Sequence, residues 1–337
     1  MNALLDEFAL IRKLTLDRTG PAEGVRVGVG DDAAVVSVTQ GMDLVACCDA
    51  MCEHVHFSRR TMTPYDTGWK LLASNASDMA AMGGIPRSFL LTLGVGQGWQ
   101  EDELAQVYDG LYALAQRMGV SLIGGDTVRS PHGLFLSLTL LGEVEKGGAM
   151  LRSSARSGHR IFVTGFLGGA AAGLDYLLQD GLDHADAERW KSLVTAHCRP
   201  MPHLAAGRLL LQSGVAGALN DVSDGLASEA WEIAEASGVR ITLNEEALPT
   251  HPEALRYAEA IGRADQPLEW ALFGGEDYVL LGSVDEGALS VLQDAFQSRG
   301  LPLYCVGEAG PGEGVYLLRR DGRLEPLAKR GYNHFRA

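Results

Sequence analysis

The chain has 337 residues, 46% hydrophobic and 21% charged, a globular composition that excludes wholesale disorder. Its 43 Asp and Glu against 28 Lys and Arg leave a net charge of −15, which disfavours nucleic acid and membrane surfaces as partners. No apolar run reaches the ~18 residues of a membrane span and Met1 to Thr15 lacks a signal-peptide core, so a cytoplasmic protein is expected.

Leu4, Phe8, Ile11 and Leu14 recur at helical spacing and predict an amphipathic helix over residues 1–19. Short strands follow, over Val25–Val38 around a Gly-Val-Gly-Asp-Asp turn and over Leu44–Cys48. Pro64–Met82 reads as a helix stopped by Gly83-Gly84, and Glu101–Met118 as a second one closed by Gly119. Val120–Ile123 and Leu134–Val144 predict strands. The polar, Gly- and Ser-rich stretch Glu145–Gly158 marks a boundary, giving expected domains of 1–148 and 149–337. Beyond it, Arg160–Thr164 predicts a strand. Helices are expected over Gly168–Gln179, Ala185–His197, His203–Gln212, Leu226–Ala236, Pro252–Ile261 and Ala288–Arg299. Further strands fit Val239–Leu243, Tyr278–Val284, Leu303–Val306 and Val315–Arg319, with Asp321-Gly322 as a hairpin turn. Neither half alternates strand and helix cleanly, so the predicted class is α+β, with a mixed sheet, rather than doubly wound.

Six short segments set acidic residues beside Gly, Ser, Asn or Cys: Gly30-Asp31-Asp32, Cys48-Asp49, Asn75-Ala76-Ser77-Asp78, Gly124-Gly125-Asp126, Asp221-Val222-Ser223-Asp224-Gly225 and Gly274-Gly275-Glu276-Asp277. Carboxylates repel one another unless a cation sits among them, and Mg²⁺ commonly joins a few of them to substrate phosphates. The pattern points to a magnesium–phosphate site assembled from pieces along the whole chain.

Each piece also has a plainer reading. Gly28-Val29-Gly30-Asp31-Asp32-Ala33 formally matches a dinucleotide fingerprint, but a strand follows where a helix is needed, and a hairpin turn explains it equally well. Asp78 sits among Met79, Ala80 and Ala81 with no basic residue three or four positions away, so its carboxylate calls for another partner. Asp221, Ser223 and Asp224 supply three oxygens before a helix, where Ser223 or Asp224 alone would suffice as its cap. Gly124–Thr127 either closes on a phosphate or is a polar turn, and Arg152 and Arg156 are either phosphate clamps or surface residues. No P-loop sequence occurs. The five cysteines are dispersed and odd in number, which argues against a disulfide framework. Cys48, Cys52, His54 and His56 form a candidate zinc cluster, with the two histidines on one strand face, but there is no C-x-x-C pair.

In order, the motifs GVGDDAAVV (28–36), HVHF at His56, NASDMAAMGG (75–84), LIGGDTVR (122–129), LRSSARSG (151–158), VTGFLGGAAAGL (163–174), DVSDGLASE (221–229), FGGEDYVLL (273–281) and GYNHF (331–335) resemble the thiamine-monophosphate kinase family. That family belongs to the superfamily of aminoimidazole ribonucleotide synthetase and selenophosphate synthetase. The resemblance implies a two-domain α+β fold whose amino-terminal domain binds metal and ATP and forms a homodimer, and whose carboxy-terminal domain closes the nucleotide and substrate site. It implies transfer of the ATP γ-phosphoryl to thiamine monophosphate with several Mg²⁺ ions. Asp32, Asp49, Asp78, Asp126, Asp221 and Asp224 are the implied metal ligands, with Cys48 at a further metal position. Tyr108, Gly125, Asp126, Arg152 and Ser223 are the implied ATP contacts, Asp126 and Arg152 also serving catalysis. His56, Glu276 and Tyr332 are the implied substrate contacts. Four positions depart from the family pattern: Cys47-Cys48 for the usual Ser/Thr, His54 for Gly, His203 for Arg and Val279 for Glu. Thiol is a poor Mg²⁺ ligand, so the first departure bears on the metal site.

Overall fold

A computed structural model describes residues 7–15, 23–182 and 188–331. The chain divides into two units, Met1–Met79 with Ile85–Gly147 and Ala80–Gly84 with Gly148–Ala337. The first contains α1 (Glu7–Thr15), β1 (Val25–Val27), β2 (Val35–Val36), β3 (Met42–Cys52), most of α2 (Pro64–Ala81), β4 (Ile85–Val95), α3 (Glu101–Met118), β5 (Ser121–Arg129) and β6 (Phe135–Glu145). Strands β1 and β2 pair antiparallel, and the others form one mixed sheet in the order β3-β6-β4-β5, with β4 and β5 parallel.

Strand alternation gives this sheet one covered and one open face. Leu136, Leu138 and Leu140 of β6 and Phe89, Leu91 and Leu93 of β4 are buried, whereas Phe135, Ser137, Thr139 and Leu141 on β6 and Leu90 and Thr92 on β4 keep exposed surface. On β3 the thiol of Cys47 bonds to the Asn75 carbonyl of α2 (3.2 Å), which sets α2 on the covered side. Helices α2 and α3 approach through glycines: a Cβ at Gly68 would lie 1.8 Å from the Val107 carbonyl oxygen, and one at Gly110 equally close to that of Tyr65. In α1, Leu10 and Leu14 carry the buried stripe while Ile11 is half-buried, and Lys13 pairs with Glu101 of α3. Leu4 and the Phe8 side chain lie outside the described residues.

The second unit contains β7 (His159–Val163), α4 (Gly169–Asp180), α5 (Lys191–Cys198), α6 (Leu204–Ser213), β8 (Ala216–Asp221), α7 (Leu226–Ser237), β9 (Arg240–Asn244), α8 (Pro252–Ala260), α9 (Gln266–Phe273), β10 (Leu280–Asp285), α10 (Leu289–Ser298), β11 (Tyr304–Gly310), β12 (Val315–Leu318) and β13 (Leu324–Pro326). Its sheet runs β13-β12-β9-β11-β7-β10-β8, antiparallel except for β12 with β9. Both faces are covered. Ile161, Val163, Ile241, Leu243 and Leu281 cluster with Leu226, Ala230 and Ile233 of α7, while Phe162, Leu280 and Val284 cluster with Leu210 of α6 and Leu292 and Phe296 of α10. The hairpin at Asp321-Gly322 joins β12 to β13, closed by the Gly322 N–H donating to Arg319. No described helix is long and apolar enough to cross a membrane.

The fold class is the α+β arrangement expected, with mixed sheets in both units. Three elements escaped the sequence reading: β4, β8 and α9. Strand β4 is internal in its sheet, carries Pro86-Arg87-Ser88 near its start and then places Phe89, Leu90 and Leu91 on both faces, so its sequence lacks the alternation that betrays a half-buried strand. The expected strand at Val120–Ile123 continues to Arg129, which puts Gly124–Thr127 inside β5 rather than in a turn. The described part of the helix expected over Ala185–His197 is α5; residues 183–187 lie outside the description.

Candidate functional site

In the first unit, Asp49 and α2 form one centre. The Asp49 amide donates to the Asn75 side-chain oxygen (3.1 Å), and the fully buried Asn75 donates in turn to the Leu71 carbonyl (2.9 Å). Burial pushes the Asp49 carboxyl above the usual range, offset in part by a hydrogen bond with Ser74 and by the nearby His56. Asp78, half-buried, lies one turn beyond Ser74 and Asn75 on the same helix. His56 accepts the Cys52 amide proton at Nδ1 (3.0 Å), so its neutral ring carries its proton on Nε2. Asp32 is exposed in the connection between β1 and β2, its amide bonded to Asp31 (2.8 Å), and no helix follows it, which removes the dinucleotide-fingerprint reading.

Several expectations are corrected here. Cys48 alternates away from Asp49: it is exposed on the open face of the sheet, its sulfur 3.4 Å from Ser137 Oγ, so it does not join the Asp49 carboxylate. His54 lies in a turn after β3 with φ of 69°, not on a strand face with His56, so the zinc cluster loses its geometry. Tyr108 belongs to the buried stripe of α3, 4% exposed and against Tyr112, which speaks against its ring as a nucleotide contact. Among the described residues no three His, Cys, Asp or Glu side chains of the single chain gather as a metal-holding group.

Asp126 stands apart from Asp49. The register runs Asp49–Leu138–Leu91–Gly125 across β3, β6, β4 and β5, which separates the two ends by three strand spacings, about 14 Å. Asp126 itself pairs with Thr92 on the open side, while Asp49 faces α2. Gly125 is required by its neighbour, because a Cβ there would lie 1.9 Å from the Leu91 carbonyl oxygen.

In the second unit, the Asp221–Asp224 and Gly274–Tyr278 segments are joined. Glu276 N–H donates to the Ser223 carbonyl (2.7 Å), Tyr278 N–H to that of Val222 (2.9 Å), and Val222 N–H to that of Val279 (2.8 Å). Glu276 and Tyr278 hold this course with φ of 69° and 51°, strained values for non-glycine residues. Gly225, at φ 108°, is the N-cap of α7, so neither Ser223 nor Asp224 is used as the cap. Asp221 is 2% exposed at the end of β8, and Ser223 and Asp224 are half-buried. The last described residue, Gly331, lies where a Cβ would be 2.5 Å from the Asp224 carbonyl oxygen; Tyr332 is outside the described residues.

Arg152 lies on a 3-10 turn (Arg152–Ser154), its Nε donating to Asn220 Oδ1 (2.9 Å) and its Nη1 paired with Glu232 (3.0 Å). Asn220 donates to Glu229, and Glu229 accepts the Asp224 amide proton (3.1 Å). Burial, with Glu232 and Asp221 nearby, pushes the Glu229 carboxyl up to about 9. Glu276 pairs with His197 of α5 (3.3 Å). Asp277 accepts from the Gly168 (2.7 Å) and Ala170 (3.1 Å) N–H groups at the start of α4; burial pushes its carboxyl up to about 7 against the pull of these amides. His203 bonds to the Thr164 hydroxyl (2.7 Å), and its enclosure lowers it to about 4.

Sequence reasoning did not assign Asn75, Asn220, Glu229 or His197. Asn75 and Glu229 stand inside quoted motifs and were open to notice; His197 carries no local signal, since only the fold brings α5 to Glu276.

Residues 30–144 match the AIR synthase related protein N-terminal domain, and 156–319 the corresponding C-terminal domain. A Bacillus subtilis (strain 168) thiamine-monophosphate kinase is 41% identical over 333 residues, 98% of this chain and 100% of the relative. The crystal structure of thiamine-monophosphate kinase from Stenotrophomonas maltophilia K279a is 37% identical with a TM-score of 0.83, covering 96% of this chain and 98% of that one. AaThiL complexed with AMPPCP and TMP is 29% identical with a TM-score of 0.77, covering 97% and 96%. On this coverage and identity, the chain belongs to the thiamine-monophosphate kinase family.

Proposed function

We propose that this chain transfers the γ-phosphoryl group of Mg-ATP to thiamine monophosphate, giving thiamine diphosphate and ADP, the last step in making that cofactor. The carrying observation is the direct pairing of the Ser223 and Glu276 segments, which sets a nucleotide-contact candidate against a substrate-contact candidate. The family relation supports the same reading, as does the relative bound to AMPPCP and TMP.

A phosphate-monoester oxygen attacks the γ-phosphorus, a new P–O bond forms, and the bond to the β-phosphate oxygen breaks, leaving ADP. The acceptor has a second pKa near ~6, so it arrives mostly ionised and needs no strong base from the protein. Arg152 offsets charge on the transferring group, and Ser223 helps hold the nucleotide. His56 offers its Nε2–H to the substrate, and the Glu276 carboxylate opposes the thiazolium cation. Tyr332 remains the proposed aromatic contact to that ring. The donor set of Asp32, Asp49, Asp78, Asp126, Asp221 and Asp224 is all oxygen, which fits Mg²⁺, and Cys48 is left out of it. Bound Mg²⁺ supplies neutralisation of the repulsion between donor and acceptor phosphates.

The working enzyme is a homodimer in this reading, with residues 1–148 carrying metal, ATP and the dimer contact and 149–337 closing over nucleotide and substrate. The open sheet face supports assembly, and the separation of Asp49 from Asp126 supports a shared site in which the partner's Asp126 meets Asp49 and Asp78. Incubation with Mg-ATP and thiamine monophosphate should yield thiamine diphosphate and ADP in equal amounts. ADP formed only with a different acceptor would replace the named substrate, and full activity of both Asp78→Asn and Asp126→Asn would remove the metal assignment.

A further inference from the structure

We infer that Asn220 and Glu229 are positioning residues that lock Arg152 to the Ser223–Asp224 turn, so that two nucleotide-binding elements act as one rigid piece. The inference rests on the proposed ATP site and extends it to side chains that no family resemblance assigned.

The 3-10 turn carrying Arg152 and the Ser223–Asp224 turn are far apart in sequence and meet through a chain of buried and part-buried side-chain bonds. Arg152 Nε donates to Asn220 Oδ1 (2.9 Å), Asn220 Nδ2 donates to Glu229 Oε2, and Glu229 Oε1 accepts the Asp224 N–H (3.1 Å). The Ser223 hydroxyl lies at the edge of the same oxygen, 3.5 Å away. Asn220 and Glu229 are 1% and 2% exposed, so water cannot substitute for a lost partner without rearrangement. The outer Arg152–Glu232 pair is different: it is part-exposed, Glu232 also accepts from Asn220 (3.2 Å), and such a pair is individually weak.

The amide of Asn220 is oriented by this chain. Its oxygen must face the guanidinium and its nitrogen must face the carboxyl, since the guanidinium only donates. Backbone support comes from α7, whose Ser237 hydroxyl donates to the Arg152 carbonyl (2.7 Å) and accepts the Ala155 N–H (3.0 Å). One helix therefore fixes the Arg152 turn through Ser237 and the Ser223–Asp224 turn through Glu229. Asn220 couples the two through the Arg152 side chain. Neither Asn220 nor Glu229 needs to touch the nucleotide for this effect.

The bond directions supply a reciprocal test. Glu229→Gln keeps the size and an oxygen for the Asp224 amide, but turns an NH₂ group toward the NH₂ of Asn220. Adding Asn220→Asp replaces that donor with an oxygen that accepts from Gln and still accepts from Arg152. Calorimetric titration with Mg-AMPPCP should show Glu229→Gln weakened about tenfold and the double variant N220D/E229Q returned to within about threefold of wild type. Steady-state kinetics should place the change in KM for ATP, leaving KM for thiamine monophosphate unchanged. Thermal unfolding of each variant reports folding separately. Wild-type affinity in Glu229→Gln overturns the inference, as does a folded double variant that binds no better than the single one. Wild-type protein that neither binds Mg-AMPPCP nor makes thiamine diphosphate would instead overturn the proposed function.

Discussion

Asn75 of α2 holds Asp49 of β3 by accepting its amide proton, while the Asn75 carbonyl takes the Cys47 thiol on the same face of the strand. A fully buried amide on a helix thereby fixes the position of a carboxylate on the edge strand of a sheet. Helix and strand meet here by hydrogen bonding, and the carboxylate is left half-buried with few partners of its own.

Asn75→Ala removes the acceptor for Asp49 and the donor to Leu71, and should cost about 1–3 kcal/mol of stability by leaving buried groups unpaired. The catalytic signature is more specific. The Mg²⁺ concentration for half-maximal activity should rise, while KM for thiamine monophosphate stays near wild type. Unchanged Mg²⁺ dependence in a folded variant would separate Asn75 from the metal site.

Opposite placement of Asp49 and Asp126 predicts complementation. Asp49→Asn and Asp126→Asn should each be inactive alone. After subunit exchange, half the dimers are mixed and one of their two sites holds both wild-type carboxylates, so recovery should approach about a quarter of wild-type activity. A site built within one chain gives no recovery, and the activity of the exchanged mixture decides between the two.

Asp277 anchors the start of α4, where two of its oxygens take N–H groups that would otherwise lack partners. Asp277→Ala should destabilise by about 1–2 kcal/mol, with Asp277→Asn milder because one acceptor remains. Urea unfolding with an unchanged m-value checks this. Because Glu276 is the adjacent residue, activity should fall in parallel.

His203 stands where the family pattern has arginine, and it is held neutral down to about 4 by its burial. Its unfolded value is 6.5, so between the two the unfolded chain binds the extra proton and stability falls as pH drops. Between pH 7 and pH 5 this amounts to on the order of 1–2 kcal/mol. His159 and His251 are also lowered, so the readout is the difference from His203→Gln, which should lose less stability over that interval. Parallel loss in both proteins would assign the pH dependence elsewhere.

Local patterns predicted much of this fold because local physics decides it. Helix α3 has apolar residues at helical spacing with a glycine stop, and its span is Glu101–Met118 as expected. The hairpin at Asp321-Gly322 follows from turn chemistry alone. Strand β4 was hidden because apolar residues stand on both of its faces, Leu90 on the open side between Phe89 and Leu91 on the covered one. The acidic segments were legible as a set, but their partition was not. That Cys48 and Asp49 look in opposite directions depends on strand alternation, and that Asp126 lies at the far edge depends on sheet order. The Arg152–Asn220–Glu229 chain was invisible for a related reason: it joins residues 152, 220 and 229, and only β8 and α7 bring them together.

The sheet of the first unit has one uncovered side, and Cys48 stands on it. In the proposed dimer this thiol becomes a gauge of association. A maleimide should label Cys48 readily in dilute, dissociated protein and slowly once the faces meet, so the labelling rate should fall as protein concentration rises. Specific activity should climb over the same concentration range, tying the chemistry of one surface cysteine to the supply of complete catalytic sites.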